Sequence, residues 1–501
     1  MRSKRALKGT IVSIAYEVVA LCCGLILPRM ILEKFGSEYN GLTASITQFL
    51  SCVALLKAGI GGVTKAALYK PLAENDIDKV SAVINATQVF IRKIAFIFLS
   101  ALVVFASIYP ILVRDSFSWL FSSSLVLILG ISTFFQYYFG ITYGMLIEAD
   151  QKIYVVYSIQ ILTTIMNTIV AALLLKAGCS IHVVKLGSAI VYSLNPVVLY
   201  VYVNKHYHIK KDIAADSELI KHRWDAFAQE VAFFIHNNTD IMVLTVLSTM
   251  WEVSVYTVYN FVIANLRQIV VSVINPFGAA FGDMLARNEA EIAQKNLRVY
   301  ETVVFFMSTV LYSVAVVMIV PFVMLYTENV GDTNYARPLF AVLLIVAGAF
   351  SCYRIPYKTI VDAAGHFRQM RNGALIEAGI NIIISVIAVS CLGLVGVAIG
   401  TVVATVFRAT QYAIYLQRTI LPRRQTVFFG RVVLSIVTIL LAAILGMAIV
   451  PSNGITVIQW IIHAFVVTIC VVIWTVATNW VFYRQDTILV WNKLSHLLKR
   501  G

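Results

Sequence analysis

Acidic side chains are scarce in this sequence: 25 Asp and Glu stand among 501 residues, against 39 Lys and Arg, for a formal net charge of +14. Charged residues of both signs make up 13% of the chain, about half of what soluble domains carry. A soluble domain of any size has no room here. In a soluble protein the positive excess would point to nucleic acid. In a chain that is 60% hydrophobic it reads as the basic bias of the cytoplasmic loops of a membrane protein, and no nucleic-acid partner is expected. Cysteine is sparse as well. Cys22, Cys23, Cys52, Cys179, Cys352, Cys391 and Cys470 lie singly or adjacent within apolar runs, without CxxC spacing or histidine partners. That pattern implies no metal site and reads as buried, reduced thiols. Walker A, HExxH and nucleophile constellations are absent too, so neither ATP hydrolysis nor metal-assisted hydrolysis is supported and no cofactor is implied.

What the sequence has in abundance is long apolar runs. A spanning helix needs about 20 mostly apolar residues, and about fourteen stretches approach or exceed that length. The spans run near 9–32, 41–63, 92–113, 121–147, 153–175, 183–203, 226–250, 252–275, 300–326, 338–361, 372–391, 394–416, 427–450 and 455–482. The first follows a basic start, as a signal peptide would, but is too long for one and lacks a small-residue cleavage site. It reads as an uncleaved span. Lys and Arg fall almost entirely on one side of this alternation, from Arg2, Lys4 and Arg5 through Lys205, Lys210 and Lys211 to Arg423, Arg424 and Arg500. Both termini are therefore expected in the cytoplasm.

An internal repeat divides the chain. Ile147, Glu148, Ala149, Asp150, Gln151, Lys152 and Ile153 close span four and open span five. Val361, Asp362, Ala363, Ala364, Gly365, His366 and Phe367 do the same between spans ten and eleven, an offset of about 214 residues. At that offset Asn167 falls on Asn381, and Gly187 matches Gly400 within about one residue. The expected fold is an all-α polytopic membrane protein: two six-helix lobes, 1–211 and 212–420, in parallel pseudo-repeat, and an added helix pair with a cytoplasmic tail, 421–501. Proteins built this way carry their site between the halves.

Charged residues at membrane depth are costly and mark cavities or partners. Lys57 and Arg267 lie at similar depth in the equivalent spans two and eight, where they would form an anion site across a central cleft or snorkel to the inner headgroups. Arg29, after Pro28, is a third candidate, with interfacial anchoring as its alternative. Arg354, Lys358 and Arg408, toward cytoplasmic span ends, read as anchors. Span seven is unusually polar, with Glu230, His236, Asn237, Asn238 and Asp240. Asp240 is either a cation or proton site with Asn381 or the counter-charge of Arg267. Asp76, Ile77 and Asp78 mimic a metal-binding glycosyltransferase signature but read as a helix start. The link from Phe281 to Val299 reads as a cytoplasmic surface helix.

These features together resemble the oligosaccharide flippase family of the multidrug/oligosaccharidyl-lipid/polysaccharide exporter superfamily, which includes O-antigen and capsular repeat-unit flippases. The resemblance rests on Leu27, Pro28 and Arg29 before the stretch Gly36 to Gly41, on Gly59 to Gly62, and on Ala149 to Lys152. To these are added Asn275, Pro276 and Phe277, then Asn381 followed by the stretch Gly393 to Gly400. It implies alternating access and a substrate of sugar repeats on an undecaprenyl diphosphate carrier, moved across the bacterial inner membrane. It implies no enzymatic step. Arg29, Lys57 and Arg267 match lumen cations of the related lipid II flippases, and so would bind the diphosphate. Asp240, Asn381 and Thr401 could reproduce their sodium site, although Ser385 stands where a second acid is expected; the coupling ion is Na+, H+ or none. Expected partners are the lipid-linked oligosaccharide, membrane lipids, and the polysaccharide polymerase and glycosyltransferases of the same pathway. Rival readings are a multidrug cation exporter, a lipid II flippase and, as an enzyme, a membrane glycosyltransferase or polymerase. The last should carry a large catalytic loop, and every outer link is short.

Overall fold

The computed structural model describes residues 2–53, 60–113, 116–210, 212–213, 238–274, 277–287, 289–449 and 454–498. Among the described residues the secondary structure is helical throughout, and eleven helices are long and apolar enough to cross a membrane. They correspond to expected spans one, three to six and nine to fourteen. Span eight is a 25-residue helix with Glu252 and Arg267 in it. Span seven is described only as the short apolar helix Asn238–Leu247. Span two is not one described helix: Ser37–Val53 and Ile60–Glu74 flank residues 54–59, so Lys57 lies outside the described residues. Glu230, His236 and Asn237 lie outside them as well.

In chain order the helices are α1 (Arg2–Phe35), α2 (Ser37–Val53), α3 (Ile60–Glu74), α4 (Ile77–Leu112), α5 (Trp119–Phe135) and α6 (Ile141–Ala149). There follow α7 (Ile153–Lys176), α8 (Ile181–His206), α9 (Asn238–Leu247), α10 (Met250–Ile274), α11 (Phe277–Ala286), α12 (Ala290–Tyr326) and α13 (Pro338–Tyr353). The last are α14 (Ile355–Ala363), α15 (Phe367–Leu392), α16 (Leu394–Tyr415), α17 (Thr426–Ile449), α18 (Val457–Phe482) and α19 (Arg484–Leu498). The chain divides into two compact units, Met1–Val246 and Leu247–Gly501.

One sequence expectation meets a different geometry and another is met. The link 281–299 is not a separate surface helix, because its second half is the first turns of α12, which runs 37 residues without a break. At 1.5 Å per residue that is about 55 Å, longer than a bilayer is thick, so the polar start of α12 projects beyond it. Asp76 does start a helix. Its carboxylate accepts the Lys79 backbone N–H at 3.0 Å, and that bond, with the Lys79 ammonium, holds its pKa below the ordinary value. The capping explains the Asp76 to Asp78 cluster without a metal.

The repeat is visible in backbone detail. In the first unit Gln151 has φ 59° and Lys152 N–H reaches back to the Ile147 carbonyl; in the second Gly365 has φ 74° and His366 N–H reaches the Val361 carbonyl. Each is the same left-handed helix stop. Spans four and ten are also both interrupted, by a π-helical turn at Gln136–Gly140 and by the break at Arg354 between α13 and α14. Gly187 lets α8 approach α7, where a Cβ would stand 2.7 Å from Leu174 Cδ1. Gly400 lets α16 approach α15, where a Cβ would stand 2.3 Å from Ser385 Oγ. Small residues permit such backbone contact in lipid, where no hydrophobic drive pulls helices together.

The added helices pack on α12. Gly446 of α17 admits Val317, while Val467 and Val471 of α18 bury against Val317 and Met318, and Trp460 Nε1 donates to the Met318 carbonyl at 3.2 Å. The outward face of α18 leaves Ile458, Phe465, Ile473 and Val481 exposed, an apolar surface suited to lipid rather than water.

Candidate functional site

Pro28 lies within α1, and the residue after it, Arg29, points partly to solvent. Arg29 Nε pairs with Glu33 Oε1 one turn on, at 3.0 Å, the side chains 38% and 34% exposed. The i,i+4 spacing made Glu33 legible as the partner, and the sequence reading passed it over. Deeper in the same unit, Asp240 is buried on α9. That helix is held by a polar network: Gln48 Nε2 donates to Asn238 Oδ1 at 2.6 Å, and Thr245 and Tyr109 both donate to Ser45 Oγ at 2.8 Å. The described polar residues of span seven thus face protein, as buried polar groups in a membrane must.

In the second unit Arg267 is half-buried on α10. One turn before it Ile263 reaches Gly348 of α13, where Tyr312 of α12 also crowds in; a Cβ at Gly348 would lie 2.7 to 2.9 Å from both side chains. This three-helix crossing sets the position of Arg267. Among the described residues its own unit places no carboxylate in salt-bridge range of it.

Asn381 and Thr401 are brought together. Asn381 Nδ2 donates to Thr401 Oγ1 at 3.1 Å across α15 and α16, with Asn381 almost fully buried. Ser385, one turn further, is fully buried, and its hydroxyl donates to the Val397 carbonyl at 3.4 Å. A carboxylate could not make that donation. The serine is therefore part of the helix crossing at Gly400, which accounts for its departure from the acid that the resemblance implies. Asp240 belongs to the first unit and Asn381 and Thr401 to the second.

The expectation that Arg354 and Arg408 anchor at headgroups is corrected by their burial, 8% and 4% exposed. They share one acid. Arg354 Nη1 meets Glu377 Oε1 at 2.8 Å and Arg408 Nε meets Glu377 Oε2 at 3.3 Å, with Glu377 3% exposed. Arg408 also donates to the Met370 carbonyl at 3.2 Å and to Gln411 Oε1 at 2.6 Å, and its guanidinium lies 4.4 Å from the Tyr412 ring centre. Gly373 makes space for this, since a Cβ there would stand 2.4 Å from Arg408 Nη1. Two cations and one anion leave a buried net charge of +1. Sequence reasoning missed Glu377, although an ionisable residue within an apolar run is by default a site with a partner. Lys358 does stay half-exposed and pairs with Asp362 at 2.6 Å.

A second polar knot ties the added helices. Glu301 of α12 bonds Arg423. Arg431 of α17 bonds both Asp486 of α19, at 2.6 Å, and Thr302, at 3.0 Å.

The distribution of helices and breaks matches solved transporters. The lipid II flippase MurJ in an inward closed conformation aligns with a TM-score of 0.68 and 15% identity, covering 95% of this chain and 99% of that one. The fold is that of the MurJ and MATE transporters. An inward-facing multidrug resistance MATE transporter of the MOP superfamily aligns with a TM-score of 0.57 and 13% identity, over 81% of this chain and 98% of its own. A eukaryotic MATE transporter gives 0.58 and 15%, over 86% and 99%. No protein-family model and no curated protein sequence matches the chain.

Proposed function

We propose that this protein is a flippase that moves undecaprenyl-diphosphate-linked oligosaccharide repeat units across the bacterial inner membrane by alternating access, for capsule, O-antigen or exopolysaccharide synthesis. One observation carries the choice within the superfamily. The MATE structures, nearly complete in their own length, leave 14% to 19% of this chain uncovered (100 minus 86 and 81), whereas the lipid II flippase leaves 5% (100 minus 95). The segment 421–501 is 81 of 501 residues, about a sixth of the chain, so the shortfall has the size of the added helix pair. A fold of that length, shared with a lipid II flippase, supports a lipid-linked substrate over a soluble drug.

In this reading the polar head crosses in a cleft while the polyprenyl tail stays in lipid along α17 and α18. Lys57, Arg267 and Arg29 hold the diphosphate, because charge-assisted contacts to phosphate are strong where water is excluded. Asp240, Asn381 and Thr401 take the coupling ion, Na+ or H+. No covalent step is needed, so the protein works as a carrier beside the glycosyltransferases and polymerase of its pathway. The test is a deletion strain without a redundant flippase. Lipid-linked repeat units should accumulate on the inner leaflet while surface polymer disappears; unchanged surface polymer refutes the reading. Accumulation of lipid II instead would move the substrate to peptidoglycan precursor.

A further inference from the structure

Between the starts of α15 and the ends of α16 lies a cavity of about 540 Å³, lined by Gln369, Met370, Phe407, Gln411, Tyr415 and Arg418 among others. Met370, Phe407 and Ile414 make its interior apolar. Its rim is polar and basic. Arg418, on the π-helical turn that ends α16, is exposed, and Tyr415 is held by a 2.9 Å hydrogen bond with His366 Nδ1. Arg368 and Arg371 flank the lining residues on the first turns of α15 and are exposed.

The charge around this cavity has no local counter-ion in the sequence. Residues 364–376 and 409–424 contain no Asp or Glu. The nearest acids are spent: Asp362 pairs with Lys358, and Glu377 is shared by Arg354 and Arg408. Behind the cavity wall the buried cluster keeps its uncompensated positive charge, and it is linked to the wall through the bond from Arg408 to Gln411. A buried net charge of this kind is costly unless an anion approaches it. An apolar pocket between spanning helices with a basic mouth is the arrangement that takes an anionic lipid headgroup with its chain.

We propose that this cavity is a binding site for one anionic phospholipid, its phosphate at Arg418 and its acyl chain against Met370, Phe407 and Ile414. The site lies within the second unit, at the ends of α15 and α16 that the basic bias assigns to the cytoplasmic leaflet. It does not depend on the transported substrate.

The experiment uses the full chain purified in mild detergent and incubated with phosphatidylglycerol or phosphatidylethanolamine, with retained lipid counted by native mass spectrometry. The wild-type chain should retain one phosphatidylglycerol with at least about fivefold preference, the effect expected of one basic side chain at an anionic headgroup. Arg418→Gln, at an exposed position, should bring the preference to parity, and Thr410→Trp, which fills the cavity, should lower retention of both lipids. Equal retention of the two lipids by the wild-type chain overturns the proposal, as does an unchanged preference in Arg418→Gln or undiminished retention in Thr410→Trp. Glycerol 3-phosphate separates lipid from free phosphate: if it displaces the lipid as well as short-chain phosphatidylglycerol does, no acyl chain is seated and the lipid assignment fails.

Discussion

Glu377 bridges two arginines and offsets one of their two charges, so its removal leaves both buried cations without the shared acid. Breaking a buried ion pair from one side costs about 3 to 5 kcal/mol. Glu377→Gln should therefore lower the thermal stability of the purified protein sharply, and adding Arg408→Gln in the same chain should recover part of the loss. Additive losses in that double-mutant cycle would show that the acid and the arginine do not interact. Gly393 is the other residue on which local structure turns. Its φ of 53° and ψ of −130° suit glycine, and a Cβ would stand 3.0 Å from both oxygens of Glu252, at the start of α10. Gly393→Ala should cost about 1 to 3 kcal/mol through strain. Combining it with Glu252→Ala relieves the contact and not the backbone, so only part of the stability should return in a thermal-unfolding assay.

At the scale of elements, α18 begins with a reciprocal cap in which the Thr456 hydroxyl accepts the Gln459 N–H and the Gln459 side chain accepts the Thr456 N–H. Such caps define where a spanning helix leaves its loop. The alternation of basic and neutral links predicts on which side each loop lies. A reporter active only outside the cytoplasm should be silent when fused after Arg424 and active when fused at Thr333 or Gly454. The opposite pattern at these positions would remove the fourteen-span topology. The same test applies to α12: its projecting polar start, with Arg287 paired to Asp283 on α11 just before it, should label from the cytoplasmic side.

For the whole molecule, the prediction concerns the cations assigned to the diphosphate. Lys57→Gln and Arg267→Gln should each abolish or greatly reduce surface polysaccharide at matched membrane levels of protein, and Arg267→Lys should retain part of the activity. A phosphate contact of this kind is worth about 1.5 to 3 kcal/mol, enough to weaken binding roughly tenfold to a hundredfold. Normal export by both Gln variants would reduce the two residues to interfacial anchors. Arg29→Gln is expected to have the smaller effect, because Glu33 already shares its charge.

The eleven described spans, their order and the paired helix stops were legible in the sequence because each rests on a local property: the length of an apolar run and the residues of a turn. The stop at Gln151 and its counterpart at Gly365 could be aligned from seven-residue segments alone. What the tertiary structure decided was which charges meet. Arg354 comes from the break between α13 and α14, Glu377 from α15 and Arg408 from α16, and their separations in sequence carry no signal of the 2.8 and 3.3 Å contacts that join them. Depth along a span can be counted from its ends, whereas burial and partnership depend on how the helices are rotated against one another. That rotation is set by close approaches such as those at Gly373 and Gly400, and so the two arginines that read as headgroup anchors became part of a buried cluster.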